Sequence, residues 1–352
     1  MRRETVSNMP GSALIAMSGG VDSSVAALIS SRDGLDCAGA IAKVHKNVKS
    51  GEADARAVAG RLGIPFFVFD LSGDFSVRVI EPFITAYREG RTPNPCIECN
   101  KHIKFGSFLQ KAAELDKDFI VTGHYARVSQ SGAGRYLLKK GADPAKDQSY
   151  ALYTLTQEQL ARTRFPLGGL TKAEVREIAL DAGLENTGNK ESQDICFVPD
   201  GDYARFINEH TGEPPRKGRF VDVQGNDLGQ HNGLLSYTIG QRRGLGLAMP
   251  YPPYVLELRP SDDAVVVGRN ELLYSKSFQV RGVNLIPIDR IDAPLRGRVK
   301  IRYLQAEQPA TVRQIGDDAL HIEFDEPQRA ITRGQAAVIY DGEVVLGGGT
   351  IV

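Results

Sequence analysis

Several features that would place this chain in a special class are scarce or missing. The 352 residues include four cysteines and no tryptophan, and so few cysteines cannot form the disulfide framework of a small secreted protein. Lys plus Arg and Asp plus Glu both number 43, so the formal net charge is zero and no bulk attraction to nucleic acid is expected. Any binding of nucleic acid must therefore use local basic patches.

Long hydrophobic runs are missing as well. No apolar stretch approaches the roughly 20 residues that a membrane-spanning helix needs. The N-terminal segment MRRETVSNMPGS is basic, but the apolar run ALIAM that follows it is too short for the core of a signal peptide. We therefore expect a cytoplasmic protein whose thiols are kept reduced.

Short apolar runs alternate with helical patterns in the first part of the chain. The runs at 13–17, 38–44, 66–71 and 118–128 are predicted to be buried strands, and the segments between them have apolar residues at helical spacing. Strands that alternate with helices indicate a parallel sheet covered on both faces. The sequence thus predicts an α/β fold with an N-terminal doubly wound parallel sheet.

The pattern changes near residue 213. Residues 213–274 are rich in Gly and have short alternating runs, which predicts a small mixed central domain. The remaining residues consist mostly of strand-like runs separated by turn residues, as in a small β-barrel. The predicted domains are 1–212, 213–274 and a C-terminal β-barrel over 275–352.

The segment AMSGGVDSS, residues 16–24, directly follows the first predicted strand. It is neither a Walker A loop nor a GxGxxG turn. Gly19 and Gly20 let the backbone approach an anion, and Ser18, Ser23 and Ser24 would add hydroxyl donors. Asp22 is unexpected beside phosphates unless a divalent cation such as Mg²⁺ bridges them. Nucleotide binding is therefore favoured over an ordinary Gly-Ser turn.

This segment resembles the PP-loop signature of ATP pyrophosphatases. Enzymes with that signature adenylate a carbonyl or carboxylate oxygen and release pyrophosphate. The resemblance implies an activation step and ATP as its source, but it leaves the substrate open. The PP-loop is shared by ligases, amidotransferases and sulfur-insertion enzymes.

Two cysteines, Cys96 and Cys99, form a C-x-x-C motif in a segment that Pro93 and Pro95 predict to be a loop. A third cysteine, Cys196, lies far along the chain. The motif alone fits half a zinc site, a redox dithiol, part of an iron–sulfur cluster or a nucleophile with a spare thiol. A second C-x-x-C for zinc is missing. A thioredoxin-like dithiol is disfavoured because the motif is not predicted to open a helix after a first strand. Cys37 is predicted to be a buried core thiol.

Thiol chemistry coupled to adenylation is the combination that sulfur insertion into RNA requires. Two packed structural thiols remain the plainer alternative for Cys96 and Cys99. Two further alternatives are another PP-loop adenylating ligase and a nucleotide-binding or RNA-binding protein without catalysis.

A series of motifs runs from residue 13 to the C-terminus. They are AMSGGVDSS, RTPNPCIECNKHIKF, VTGHYARV, KDQSYALYTL, ESQDICFVP, HNGLLSYTIGQRRGLG, KIRY and RGQAAVIYDGEVVLGGGTI. In this order they resemble the tRNA-specific 2-thiouridylase family, which belongs to the PP-loop superfamily. The resemblance implies ATP-dependent 2-thiolation of the wobble uridine of tRNA.

The resemblance also assigns roles to residues of this chain. Cys99 would be the nucleophile and Cys196 the persulfide carrier, and the two would form a disulfide during the reaction. The ATP site would be formed by Ala16, Met17, Ser18, Gly19, Gly20, Val21, Asp22, Ser23, Ala42 and Gly123. The tRNA would contact Asn94, Pro95, Cys96, His124, Lys146, Asp147, Gln148, Arg302, Tyr303 and Gln335. The implied partners are a tRNA with a wobble uridine and a sulfur donor protein, and we expect a monomer.

Cys96 departs from the family pattern, in which many members have Asp at this position. A thiol cannot replace a carboxylate as an acid or base, so the role of this position is open. The third thiol allows a second mechanism, in which Cys96, Cys99 and Cys196 hold a [4Fe-4S] cluster with one open iron. Ala42 replaces a larger, Met-like residue, which weakens a side-chain contact with adenine.

Basic residues are also concentrated in two places. Arg242 and Arg243 lie in a Gly-rich loop, whereas Arg296, Arg298, Lys300 and Arg302 alternate along one predicted strand. Alternation places side chains on one face of a strand. With the other motifs present, we expect phosphate contacts from these stripes, and hence tRNA binding that weakens steeply with salt.

Overall fold

A computed structural model describes residues 11–48, 51–184 and 195–352. The chain forms two compact units. The first is built from the described residues of Met1–Ser76, Cys99–Gln193 and Glu343–Val345, and the second from those of Val77–Glu98, Asp194–Gly342 and Leu346–Val352. The chain therefore passes between the units more than once.

The helices and strands are numbered in chain order. The α-helices are α1 (Val21–Arg32), α2 (Glu52–Leu62), α3 (Ser72–Phe75), α4 (Glu81–Arg88), α5 (Pro95–Glu98), α6 (Phe108–Glu114), α7 (Gln157–Ala161), α8 (Lys172–Asp181) and α9 (Tyr203–Thr211). The strands up to the end of the first unit's sheet are β1 (Ser12–Ala16), β2 (Asp36–Lys43), β3 (Phe66–Asp70), β4 (Phe119–Val121), β5 (Ala126–Gln130), β6 (Tyr136–Lys140) and β7 (Thr163–Arg164).

The later strands are β8 (Gly218–Val221), β9 (Asp227–His231), β10 (Tyr254–Arg259), β11 (Ala264–Gly268), β12 (Tyr274–Leu285), β13 (Leu295–Lys300), β14 (Gln308–Gly316), β15 (Ala319–Arg329), β16 (Ala336–Asp341) and β17 (Val344–Ile351). Two π-helical segments cover Ser76–Ile80 and Cys99–Ser107, and short 3₁₀ turns cover Ser149–Leu152, Leu234–Ser236 and Asn270–Leu273.

The first unit is organised around a five-stranded parallel sheet in the order β3-β2-β1-β4-β7. Its central strand β1 is almost wholly buried. The strand side chains pack with residues of α1, α2 and α8 in one apolar core that includes Ile15, Val25, Val58 and Val175. The predicted doubly wound parallel sheet is confirmed, because near-continuous apolar strands are what a sheet covered by helices requires.

The second unit contains a four-stranded sheet, in the order β10-β11-β8-β9, and a barrel. In the barrel the strands follow the order β12-β15-β14-β13-β16-β17, and β12 also pairs with β17, so six antiparallel strands close on themselves. Val299, Val312, Ile322 and Ile339 belong to the core inside it. The predicted C-terminal β-barrel is confirmed, and its closure removes the exposed strand edges.

One predicted strand is divided. The apolar run 118–128 forms two strands, β4 and β5, separated by Thr122–Tyr125. β4 is a parallel strand of the first sheet, whereas β5 pairs antiparallel with β6. Gly123 and the buried polar side chains of Thr122 and His124 interrupt the run, because polar groups that bond locally favour turns over strand pairing.

The segment with Cys96 and Cys99 is also not the predicted loop. Pro95–Glu98 forms the helical turn α5, and the π-helical segment begins at Cys99. Pro95 at the first helical position is pre-set for a helix. The motif therefore lies in a helical turn, but this turn follows α4 rather than a first strand, so the reason for disfavouring a thioredoxin-like dithiol stands.

No helix in the described ranges is long and apolar enough to span a membrane. The predicted domain boundaries near residues 212 and 275 stay a prediction.

Candidate nucleotide site and thiol segments

The order of the parallel strands predicts a crevice at the end of β1. From β1 the chain proceeds to β2 and β3 on one side, whereas β4 and β7 lie on the other. Open α/β sheets bind ligands outside the carboxyl ends of their strands, where the strand order reverses. The segment after β1, Met17–Gly20, and the segment after β4, Thr122–Tyr125, both emerge at this point.

Three glycines allow these segments to approach closely. Gly19 has a left-handed backbone with φ of 79°, and a Cβ atom on it would collide with the backbone of Gly51. A Cβ atom on Gly51 would collide with the carbonyl oxygen of Ser18, and one on Gly123 would lie 3.0 Å from the backbone carbon of Asp22. The structure thus brings together the predicted residues Gly19, Asp22 and Gly123, and it adds Gly51.

The serines of the loop mainly hold its shape. The hydroxyls of Ser23 and Ser24 donate to the carbonyl oxygen of Gly20 at 2.9 and 3.0 Å. The backbone N–H of Ser18 donates to Ser23 Oγ at 3.1 Å. In this structure both hydroxyls bond within the loop, because hydroxyls at a helix start bond locally, and their contact with a phosphate stays a prediction. The N-cap Gly20 offers no side chain to the first amides of α1, which leaves the backbone to bind an anion.

The remaining predicted ATP residues lie around this loop. Ala16 ends β1, Val21 begins α1, and Ala42 is the penultimate residue of β2. The Met17 side chain is 2% exposed and belongs to the apolar core. The Met17 side chain therefore serves the core, and only its backbone is available for the predicted contact with ATP.

The carboxylate of Asp22 is bound by two side chains that the sequence prediction missed. Lys172 Nζ donates to both carboxylate oxygens, at 2.8 and 2.9 Å, and the Tyr125 hydroxyl donates to Oδ1 at 2.8 Å. The Lys172 side chain is only 11% exposed. A lysine at the first position of a helix opposes the helix dipole, and this unfavourable placement was the signal in the sequence that could have drawn attention to it.

His124 is enclosed by aromatic rings. Its ring centroid lies 5.8 Å from those of both Phe105 and Phe165, and the residue is 9% exposed. Lys104 Nζ lies 3.5 Å from Nε2, and Thr122 Oγ1 lies 2.7 Å from Nδ1. Since an ammonium group only donates, Nε2 accepts and Nδ1 carries the proton. Burial, and secondly the charge of Lys104, hold the pKa of His124 well below its ordinary value.

The KDQ segment, Lys146–Gln148, packs beside the GHY turn. Asp147 accepts hydrogen bonds from the N–H of Gly141 at 3.0 Å and from the N–H and hydroxyl of Ser149 at 3.1 and 2.9 Å. Gln148 Oε1 accepts from the N–H of Tyr125 at 3.0 Å. Asp147 and Gln148 therefore hold the turn in place. Asp147 is buried, whereas Lys146 and Gln148 are both half-buried.

In the second unit, Asn94 caps the turn that contains Cys96. Its side-chain oxygen accepts the N–H of Cys96 at 3.1 Å, and its carbonyl accepts the N–H of Ile97 at 3.1 Å. Pro95 is buried and Cys96 is exposed. Two residues earlier, Thr92 donates its N–H to the carbonyl of Arg333 and accepts from the Gln335 amide at 2.9 and 2.8 Å. Gln335 therefore fixes the start of this turn.

Cys196 is exposed, but the residue that follows it is anchored. Phe197 is 1% exposed, and its ring lies 5.3 Å from Phe83 and 5.2 Å from Phe206. An aromatic cluster formed by α4, α9 and Phe197 thus holds the backbone next to the exposed Cys196. The preceding part of the motif, residues 191–194, lies outside the described residues.

The other thiols differ in exposure. Cys99 is half-buried at the start of the π-helical segment. Cys37 is a free thiol in the core of the first unit, and burial raises its pKa, so the prediction of a buried core thiol is confirmed. In the ranges 11–48, 51–184 and 195–352, no group of three or more His, Cys, Asp or Glu residues could hold a metal ion.

A groove of the second unit contains two of the predicted tRNA contacts. It is lined by Thr92, Thr238, Ile239, Gly240, Gln241, Arg302, Arg329, Thr332 and Gln335. Arg329 binds only neutral groups of the described chain, namely Asn270 Oδ1, the Gly240 carbonyl and the ring of Tyr254. Tyr303 lies beside Arg302 and is 39% exposed. The groove is therefore cationic.

The predicted basic stripe is largely neutralised. Arg296 makes a bidentate pair with Asp325 at 2.8 Å, and Arg298 lies 3.7 Å from a carboxylate oxygen of Glu307. Lys300 lies over the ring of Tyr340. Phosphate contacts from this stripe stay a prediction, but Arg296 and Arg298 already have carboxylate partners, from β15 and from the loop before β14, that the pattern of one strand cannot show.

Comparison with known proteins agrees with this geometry. Residues 12–200 match the family described as tRNA methyl transferase HUP domain, residues 204–269 the tRNA methyl transferase PRC-barrel domain, and residues 275–351 the aminomethyltransferase beta-barrel domain. The chain is 47% identical over 350 residues to the tRNA-specific 2-thiouridylase MnmA of Clostridioides difficile, covering 96% of this chain and 97% of that protein.

A second relative bears the same name. The chain is 47% identical over 355 residues to the tRNA-specific 2-thiouridylase MnmA of Symbiobacterium thermophilum, covering 96% of this chain and 91% of the relative. Among solved structures, a 4-thiouridine synthetase in complex with RNA and ATP overlaps 57% of this chain and 50% of its own, at 17% identity and a TM-score of 0.37. That overlap is too low to add to the relationship with the two full-length relatives.

Proposed function

We propose a mechanism for this chain from the premise that it belongs to the tRNA-specific 2-thiouridylase family. It is a tRNA sulfurtransferase that uses ATP to replace a uridine oxygen with sulfur. The observation that carries this function is the SGGVDSS segment, which lies at the reversal point of a parallel sheet next to Gly123, in a chain that matches 2-thiouridylases over nearly its whole length.

ATP is proposed to bind with its phosphates against the backbone of Ser18–Ser23. Gly19, Gly51 and Gly123 let the backbone segments around this loop approach each other closely, and α1 directs its first amides toward an anion. The 2-oxygen of the wobble uridine attacks the α-phosphorus, and pyrophosphate leaves. Adenylation matters because the oxygen departs as part of AMP rather than as a poor leaving group.

The uridine is proposed to leave the base stack before it reacts, since a stacked base hides its 2-oxygen. Asn94, Pro95 and Cys96 would face it, and the cap made by Asn94 keeps that turn rigid. Lys146, Arg302 and Tyr303 are proposed tRNA contacts, whereas Asp147, Gln148 and Gln335 are proposed to act by positioning the segments that they bind.

Sulfur transfer is proposed to proceed in two steps. The terminal sulfur of a persulfide on Cys196 attacks C2, and AMP leaves with the original oxygen. The thiolate of Cys99 then attacks the Cys196 sulfur, which forms a Cys99–Cys196 disulfide and releases the 2-thiouridine. The scheme requires the two sulfurs to meet during turnover and a thiol reductant to restore them. A sulfur donor protein supplies the persulfide.

The alternative mechanism would hold a [4Fe-4S] cluster on Cys96, Cys99 and Cys196. Cys99 belongs to the first unit, whereas Cys96 and Cys196 belong to the second, so a cluster needs three thiols to meet and the persulfide route needs only two. We therefore assign no step to a cluster. An anaerobic preparation that is fully active without iron is the expected result, whereas activity that rises with bound iron would contradict the persulfide scheme.

The test is direct formation of the product. The full chain is incubated with unmodified tRNA, ATP, Mg²⁺ and a persulfide source, and the nucleosides are separated and weighed by mass spectrometry. We expect 2-thiouridine, with pyrophosphate released only when tRNA is present. A methylated nucleoside would support the activity named in the family descriptions, and no modified nucleoside would refute both.

Single cysteine variants then assign the roles. Cys99→Ala and Cys196→Ala are each expected to abolish 2-thiouridine formation. Without Cys196 no persulfide is available to attack C2, and without Cys99 no thiolate releases the product by forming the disulfide. Cys37→Ala is the matched control, since that thiol lies in the core of the first unit. Cys96→Ala decides the role of the exposed thiol beside Asn94: full activity would show that it is a spectator.

A further inference from the structure

The loop that is proposed to hold ATP contains a negative charge where one is not expected. Asp22 is the second residue of α1, among the amides that are proposed to face the phosphates. A carboxylate at this point would repel a triphosphate. Such a residue is often explained by a divalent cation that bridges it to the phosphates. For that role at least one carboxylate oxygen has to be available to the metal.

In this chain the carboxylate is already occupied. The Lys172 ammonium group lies 2.8 Å from Oδ1 and 2.9 Å from Oδ2, so it bridges both oxygens. The Tyr125 hydroxyl takes a second position on Oδ1 at 2.8 Å. Lys172 and Tyr125 thus take three of the roughly four lone-pair positions of the carboxylate, and a magnesium ion on the remaining position of Oδ2 would lie beside the ammonium group, whose charge repels it.

The position of Lys172 is fixed by its own surroundings. Thr171 caps α8, and Glu174 completes a capping box. The backbone N–H of Lys172 donates to Asp143 Oδ2 at 3.0 Å. Further along α8, Val175 and Ala179 pack in the same core as Val25 of α1. The lysine is therefore held in the first turn of a helix, where a positive charge is otherwise disfavoured.

We infer that Lys172 takes the place of a divalent cation at Asp22, so that Asp22 is not a magnesium ligand and Mg²⁺ enters the site only with ATP. Lys172 is then a positioning residue: it cancels the charge of Asp22 and leaves the loop amides free to attract phosphates. Tyr125 supports it by fixing the orientation of the carboxylate. This inference rests on the proposed binding of ATP and not on the later sulfur chemistry.

The test is equilibrium binding of ATP with Mg²⁺ to the full chain, without tRNA. Lys172→Met keeps the length of the side chain and removes its charge, so the carboxylate faces the phosphates uncompensated. We expect ATP affinity to fall by about tenfold or more. Lys172→Arg, which can still bridge the carboxylate, is expected to bind ATP more tightly than Lys172→Met by a factor of about five.

A double variant separates charge from structure. If Lys172 acts by neutralising Asp22, then Asp22→Asn in the Lys172→Met background removes the repulsion and restores most of the lost affinity. If Lys172 is only structural, the double variant binds ATP no better than the single one, and the inference is overturned. Lys172→Met with wild-type affinity for ATP would overturn it as well.

The metal is tested by raising free Mg²⁺ beyond the amount that saturates ATP. Extra Mg²⁺ is expected to tighten ATP binding to Lys172→Met, where the carboxylate has become available, and to leave the wild type and the double variant unchanged. A wild-type requirement for a second Mg²⁺ that Asp22→Asn abolishes would refute the inference.

If Lys172→Met does not fold, Asp22→Asn alone decides the question: the Mg²⁺ midpoint for ATP binding should equal that of the wild type. A wild type that binds no ATP would count against the proposed function instead.

Discussion

Burial determines the charge of His124. Its ring is enclosed by Phe105 and Phe165, and its pKa lies well below the ordinary value of 6.5 because the cation is poorly solvated there. Folded molecules therefore keep this imidazole neutral at pH values at which the unfolded chain already binds a proton. By linkage, acid favours the unfolded chain once the pH drops below 6.5, and stability falls further until the lowered folded pKa is reached.

We predict that the wild type loses more thermal stability than His124→Gln when the pH is lowered from about 7.5 to about 5.5. Glutamine has no titratable proton in this range but keeps a donor and an acceptor. The measurement is the change of Tm between the two pH values, compared between the two proteins. Equal losses would show that His124 does not contribute to the acid sensitivity.

Single residues of the site were predictable to different degrees. Gly19 and Gly123 were found because a short motif carries them, and motifs are local. Gly51 and Lys172 were missed because their roles depend on contacts between segments that are far apart in the chain, Ser18 with Gly51 and Asp22 with Lys172. No pattern of neighbouring residues encodes such a contact. The only local hint was the positive charge of Lys172 at the start of α8, where the helix dipole disfavours it.

Within the first unit, the N-terminus of α2 packs against the loop Met17–Gly20, which is proposed to bind phosphates, and limits the shape of that loop. Gly51 caps α2 with an ordinary backbone φ of −87°, so it is not required there for its conformational freedom. It is required because the carbonyl of Ser18 occupies the space of a side chain. The helix and the loop can approach each other only through two glycines.

Gly51→Ala is predicted to weaken ATP binding about tenfold or more, since backbone rather than a flexible side chain must move. The matched control is Gly60→Ala in the same helix, where an added methyl group meets nothing within 4 Å. That control should gain about 0.5–1 kcal/mol of stability and bind ATP normally. Calorimetric titration with ATP and thermal unfolding test both variants, and normal binding by Gly51→Ala would refute the close approach.

The cysteine segment shows how an element can be misjudged. Pro93 and Pro95 suggested a loop, yet Pro95 opens α5 and Asn94 caps it. Proline breaks helices in their interior but favours their first turn, so its effect depends on a boundary that the sequence does not mark. The π-helical geometry from Cys99 to Ser107 is rare and has no simple pattern of residues.

At the scale of the whole molecule, net charge says little about where nucleic acid binds. The balance of charge is local: Arg296 is paired with Asp325, whereas Arg329 has neutral partners in the part of the chain that the structure describes. The groove with Arg302 and Arg329 is therefore a better candidate for phosphate contacts than the stripe along β13.

We predict that Arg329→Gln weakens tRNA binding and lowers the salt slope by about one phosphate contact. Arg296→Gln is the matched control on the same barrel. It should change tRNA affinity by less than about twofold, because Asp325 already neutralises the charge of Arg296. Binding of tRNA is measured at several salt concentrations. A larger effect of Arg296→Gln than of Arg329→Gln would instead support the phosphate contacts that the sequence predicts along β13.

The architecture was largely predictable. Alternating strands and helices gave the parallel sheet, and evenly spaced strands with turn residues gave the barrel, because both patterns follow from which faces are buried. The family follows from motifs spread over the chain and from full-length relatives. Which segments of the chain make up each of the two units could not be predicted, since segments that are far apart in the sequence meet only after folding.

The division of the chain between the two units affects the order in which the units are completed during translation. Val344 pairs with Lys139 of β6, and the carbonyl of Glu343 accepts the N–H of Lys140, so Glu343–Val345 counts with the first unit. A ribosome synthesises the chain from its N-terminus, and it must translate almost the whole message before the nucleotide-binding unit has its last segment. A gene fragment that ends near residue 212 therefore encodes an incomplete unit, and enzyme activity is expected only after translation has passed Val345.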